Sequence, residues 1–197
     1  MRNRSQLFNA LILAAFFSLL TGCSINVKKD NNGKDEDKKV DIDTPFGGIH
    51  VSKDADVHDT GLPVYPGAKA KTKGDSDDDE KSANVNISTS TFGLKVVAID
   101  YETKDAPAKV TAFYKDKLKQ YGNVLECHTS DKSYTYNGHS DKNDSEELKC
   151  EGNNNGKTIE LKVGTRSNQH IVAINPQDQG SEFSLVYVRL RGKEGTI

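Results

Sequence analysis

The stretch DAPAKVTAFYKDKLKQYG, residues 105–122, decides the fold. Asp105 stands where an N-cap belongs, and Pro107 falls in the first turn, where its missing N–H costs nothing. Val110, Phe113, Tyr114, Leu118 and Tyr121 recur at helical spacing, and Gly122 ends the run. Lys115, Lys117 and Lys119 suit the negative end of the helix dipole. The spacing predicts a helix over about 106–121 with Val110, Phe113, Tyr114 and Leu118 facing a sheet.

On both sides of this helix the apolar period is two. Val40 to Thr44, the turn residues Pro45-Phe46-Gly47-Gly48, and Ile49 to Val51 form one hairpin pattern. Asn84 to Ser90, Phe92-Gly93, and Leu94 to Thr103 form a second. Both turns carry Thr, Phe and Gly ahead of a β run, an echo too short to be a repeat. Downstream, period-two runs occupy Val124 to His128, Ser133 to Tyr136, Glu147 to Cys150, Thr158 to Val163, His170 to Ile174 and Glu182 to Arg191. Clusters of Asn, Asp, Gly and Ser separate most of them, as in an antiparallel meander. The fold class is therefore α+β, a mostly antiparallel sheet covered on one face by one main helix.

Gly61 to Gly67 contains two prolines and cannot be a central strand. It reads as an extended loop that packs Leu62, Val64 and Tyr65 on the core. Residues 69–83 are dense in charge and lack large apolar side chains, so a mobile acidic loop is expected there. The domain itself is expected to span 40–197.

The amino-terminal segment has a different character. Arg2 and Arg4 precede an almost unbroken apolar run from Leu7 to Leu20, too short to span a bilayer comfortably and suited to a secretory leader. Leu20-Thr21-Gly22-Cys23 follows at once. These four residues resemble the lipobox of bacterial lipoprotein precursors. The resemblance covers only the leader, 1–22, and Cys23. It implies a diacylglyceryl group on the Cys23 thiol, cleavage between Gly22 and Cys23, and acylation of the new amino terminus, with palmitate-like chains holding the protein to a lipid bilayer. Several chains together anchor stably where one binds only marginally. Ser24 rather than Asp after the cysteine resembles the pattern of outer-membrane export, facing the periplasm, should the source be Gram-negative. Ser24 to Lys39 interleaves five lysines with four acids and has only Ile25 and Val27 apolar. A lipidated flexible tether over 23–39 would hold the domain roughly 20–25 Å from the lipid.

A second resemblance rests on Tyr65-Pro66-Gly67-Ala68, Ile99 to Thr103, Asp105-Ala106-Pro107 and Val110 to Tyr114. These segments resemble uncharacterised bacterial envelope proteins, which implies a fold and brings no activity.

Cys127 and Cys150 lie in expected strands of an exported domain, and a disulfide is their natural pairing. The acidic run Asp75 to Glu80 fails as an EF-hand loop, because its sixth residue is Glu80 and its twelfth Asn86 where Gly and Glu are needed. Asp54, Asp56 and His58 would share one face if the segment were extended, with Asp59 beside them, a cluster of possible cation ligands. His50, His128, His139 and His170 are scattered without zinc-site spacing. Neither a nucleophile elbow nor a phosphate loop is present, and Gly152 to Gly156 reads as a hairpin turn. Tyr134, Tyr136 and Tyr187 would make an aromatic face for glycans or peptides if they are not core.

Without Arg2 and Arg4 the 27 basic residues become 25 against 29 acids, so the mature chain stands near −4 and has no basic stripe for nucleic acid. The expectation is a non-enzymatic binding or assembly module anchored in the cell envelope, with no catalytic residue, metal or cofactor assigned. Its partners would be the bilayer and envelope proteins or glycans. An envelope hydrolase with a site gathered from distant residues, and a metal sensor using residues 54–59, are the alternatives.

Overall fold

A computed structural model describes residues 24–28 (backbone only), 39–71, 82–130, 146–150 and 154–192. The described residues form an antiparallel sheet: β1 (Ser24–Lys28), β2 (Lys39–Thr44), β3 (Gly47–Ser52), β4 (Lys69–Ala70), β5 (Ser82–Thr89), β6 (Gly93–Thr103), β7 (Leu125–Thr129), β8 (Thr158–Thr165), β9 (Asn168–Gln177) and β10 (Gly180–Arg191). The order across the sheet is β1-β2-β3-β5-β6-β10-β9-β8-β7, and β4 pairs with the far end of β6. Among the described residues the helix is α1 (Pro107–Leu118), which continues into a 3-10 turn at Lys119–Tyr121, and another 3-10 turn spans Val57–Thr60. The α+β architecture expected from the sequence is thus the observed one.

Register explains the layers. Pairing places Tyr101, Phe183 and Ile174 in one row and Ile99, Leu185, Val172 and Leu161 in the next, all on the helix side. There α1 lies across β8, β9 and β10. Val110, Tyr114 and Leu118 of α1 are fully buried against these rows. Phe113 packs at the margin of the core. Aromatic contacts tie the layers together, with Tyr101 stacked on Phe183 at 5.5 Å and Tyr114 tilted against the same ring at 5.5 Å.

Residues 61–67 pack as an extended loop, but only in part as expected. Leu62 and Tyr65 are buried, whereas Val64 is 36% exposed. The two residues turned to the core are three apart, and Pro63 and Val64 between them both face outward. The Pro63 carbonyl accepts from the Tyr114 hydroxyl at 3.2 Å.

Four further expectations are corrected. Asp105 does not cap α1. The N-cap is Ala106, without a side-chain cap bond, because the Asp105 carboxylate instead accepts from the Tyr65 hydroxyl at 2.9 Å and from Lys109 Nζ at 2.8 Å. Ser24–Lys28, expected in the tether, forms the edge strand β1, with Ser24 opposite Asp43 and Lys28 opposite Lys39. The loop expected at 69–83 is bounded by strand at both ends, since Lys69–Ala70 is β4 and Ser82 begins β5; residues 72–81 lie outside the described residues. Glu147–Cys150 is not a strand. It follows Glu146, whose carboxylate accepts from Ser167 N and Oγ at 3.1 and 2.7 Å, and ends at the bridge to Cys127, an irregular course set by those two ties. The run at Ser133–Tyr136 also lies outside the described residues.

The face opposite α1 is apolar in a second set of rows. Ile42, Ile49, Ile87, Leu94 and Leu190 stand opposite one another across five strands, and Val40, Val51, Val85, Val96 and Val188 form the next row. These side chains are half-buried, and Ile49 is 38% exposed. None of them belongs to the core cluster under the helix.

Candidate functional site

Cys127 and Cys150 are joined, with Sγ atoms 2.02 Å apart and Cα atoms 5.4 Å apart. Cys127 pairs with Glu160, while its neighbour Glu126 pairs with Leu161 of the helix-side core. The bridge therefore ties residue 150 to the face opposite α1. Gly22 and Cys23 lie outside the described residues, as do the acidic run 75–80, His139, Tyr134 and Tyr136.

The cluster at 54–59 is dispersed. Asp56 caps the 3-10 turn by accepting from His58 N at 2.9 Å, Asp54 pairs with Lys39 at 2.7 Å, and Asp59 pairs with Lys95 at 2.8 Å. Alternation requires an extended chain, and the turn at Val57–Thr60 removes it. Among the described residues no three His, Cys, Asp or Glu come together to hold a metal ion.

Three histidines make contacts of different kinds. His50 lies on the polar face of β3, where its Nδ1 is 2.9 Å from Asp41 and its Nε2 3.7 Å from Asp43. His170, on β9, is buried beneath the Tyr121 ring at 3.8 Å between centroids, with Tyr187 on its other flank at 4.9 Å. Its Nδ1 meets the carbonyl of Thr60 at 2.8 Å rather than a carboxylate. Burial lowers the His170 pKa below 6.5, and the Thr60 bond opposes that only in part. Tyr187, expected as core or as a binding face, is committed to this stack. His128 shares its face of β7 with Glu126 at 3.3 Å. The Glu126 carboxyl is held below its usual range, chiefly by Lys115 of α1.

A shallow cleft of about 400 Å³ opens beside the end of α1, lined by Lys115, Lys119, Gly122, Asn123 and Val124. Among the described residues its lining holds two ammonium groups, which pair with Glu126 and Asp116, and no histidine or nucleophile. The more organised surface is one end of the sheet. Pairing of Ser24 with Asp43, Gly47 with Thr89, and Gly93 with Arg191 brings the start of β1, the β2–β3 turn, the β5–β6 turn and the end of β10 to the same edge.

Both turns there use one device. Thr44 Oγ1 accepts from Phe46 N at 3.2 Å and donates to the Gly47 carbonyl at 2.8 Å. Thr89 Oγ1 accepts from Phe92 N at 2.9 Å and donates to the Phe92 carbonyl at 3.1 Å. Threonine closes each turn locally and leaves the phenylalanine outside. Phe46 is 82% exposed and Phe92 38% exposed. Gly47, at φ 151°, is required because a Cβ there would stand 2.1 Å from the Ser88 carbonyl of β5. The Thr, Phe, Gly echo is written in the sequence, yet only strand order reveals that the two rings share an edge.

Compared with known families, curated proteins and solved structures, the chain matches none.

Proposed function

We propose that the mature protein is a lipid-anchored module of a bacterial cell envelope, attached to the bilayer through acyl chains on Cys23 and acting by binding or assembly rather than by catalysis. Leu20-Thr21-Gly22-Cys23 immediately after a 7–20 apolar run is the observation that carries this reading. It resembles a lipobox, which pairs cleavage before Cys23 with thiol acylation. Supporting it, the bridge between Cys127 and Cys150 accounts for the other two of three cysteines and suits an oxidising compartment outside the cytoplasm. The negative mature chain argues against nucleic acid as partner, and envelope proteins or glycans remain the partner classes proposed.

Mass spectrometry of the amino terminus from native membranes tests the anchor. The expected product begins at Cys23 and carries the added mass of a diacylglyceryl group and an amide-linked acyl chain. An unmodified amino terminus, or recovery of the protein in the soluble fraction, overturns the reading.

A further inference from the structure

We propose that the edge of the sheet formed by the β2–β3 and β5–β6 turns lies against the surface of the bilayer, with the rings of Phe46 and Phe92 seated at headgroup depth. This deepens the anchoring proposed above and rests on it. The first argument is covalent. Ser24 is paired into the sheet opposite Asp43, at this edge, and Cys23 is one peptide unit away, about 3.8 Å between Cα atoms. Acyl chains on Cys23 therefore enter the membrane beside these turns, and not at the end of a long coil.

The second argument is the surface itself. Two phenylalanines on neighbouring turns stand exposed, held outward by the Thr44 and Thr89 hydroxyls. Exposed aromatic tips flanked by cations are what a water–lipid interface accommodates, since the ring meets acyl carbon while the charge stays at headgroup level. Arg191, exposed and paired with Gly93 at this edge, supplies such a cation for an anionic headgroup. Immediately inside the tips comes the row holding Ile42, Ile49 and Ile87, so the apolar face of β2, β3 and β5 begins at the same edge. The carboxylates of Asp41 and Asp43 lie on the opposite face of β2, gathered around His50. A second copy stacked on the apolar face would cover these rows but leave both aromatic tips in water, which is why the bilayer is the occupant the geometry points to.

The chain contains no tryptophan, so one introduced indole reports alone. Full-length, processed protein bearing Phe46→Trp, Phe92→Trp or Asp178→Trp is placed in vesicles of phosphatidylethanolamine and phosphatidylglycerol, with or without brominated phosphatidylcholine. Asp178 lies in the β9–β10 turn at the other end of the sheet and is exposed. The expected result is blue-shifted emission at positions 46 and 92 that brominated lipid quenches, with position 178 remaining red and unquenched. Equal quenching at all three, or none at 46 and 92 in protein that floats with the vesicles and carries its lipid, overturns the orientation and leaves the anchor standing. A blue shift at 46 that needs no lipid and grows with protein concentration also overturns it, by assigning the edge to a second copy. Protein that neither floats nor carries lipid removes the anchor and the orientation together.

Discussion

Thr111 lies on the inner side of α1, buried, and its hydroxyl has no hydrogen-bond partner among the described residues. A buried hydroxyl without a partner forfeits its hydration and gains nothing in return. Thr111→Val keeps the shape and removes the loss, so the variant should be more stable by about 1 kcal/mol, read as a rise in the urea midpoint at unchanged m. His170 gives the residue scale its pH dependence. Folding holds its ring neutral, so below pH 6.5 the unfolded chain takes up a proton that the folded chain resists, and stability falls as pH drops. The carboxyls of Asp105, Glu126 and Glu146 are held below their ordinary values by Lys109, Lys115 and Ser167 respectively. Their contribution is lost only further into acid, once pH falls below the ordinary carboxylate range and through their lowered values. His170→Gln should therefore flatten the pH dependence of Tm just below 6.5 and leave the later carboxylate limb intact. An unchanged slope near pH 6 would refute this account of His170. The sequence makes the buried helix residues legible, because periodicity and burial coincide at Val110, Tyr114 and Leu118. It misleads at Asp105, where the capping pattern is present but Tyr65, forty positions away, competes for the carboxylate.

Elements with their own punctuation follow from the sequence directly. The β2–β3 and β5–β6 hairpins are announced by turn residues between alternating runs, and the Thr-to-Phe hydrogen bonds show why those residues suffice. Elements defined by a distant neighbour do not. Ser24–Lys28 has the composition of a solvated spacer and becomes a strand because Ile25 and Val27 fall opposite Ile42 and Val40 in register. Glu147–Cys150 alternates like a strand, yet its course is set by Ser167 at one end and Cys127 at the other. The disulfide therefore positions a segment that has no ladder to hold it. Replacing both Cys127 and Cys150 by Ala, which opens a loop of sequence separation 23, should cost on the order of 3 kcal/mol in the chain-entropy view. For a chain of this size that is a fall in Tm of roughly 6–12 °C. Calorimetry of the double variant against the oxidised parent checks it; equal melting would mean that the packing of 146–150, and not the bridge, carries the constraint.

At the scale of the whole molecule the sheet is unevenly supported. The helix, the 61–67 loop and the aromatic stack all lie over β6, β8, β9 and β10, and the buried core cluster draws its residues from those elements. The wing of β1, β2 and β3 has, on β2 and β3, a polar helix-side face with His50 and Asp41 and an opposite face whose apolar rows no core residue covers among the described residues. Local stability follows the density of buried apolar contact. Amides of β9 and β10 should exchange with solvent hydrogen only through global unfolding, whereas those of β2 and β3 should open at a lower free energy in lipid-free protein. The unevenness acquires a use if the wing is the part that meets the membrane, because a bilayer can then supply the apolar contact that the fold withholds. Hydrogen exchange on lipidated protein in vesicles should slow at β2 and β3 and leave β9 unchanged. Uniform protection without lipid would make the sheet one cooperative unit, and slowing confined to β8 and β9 would place the contact on the helix-covered half instead.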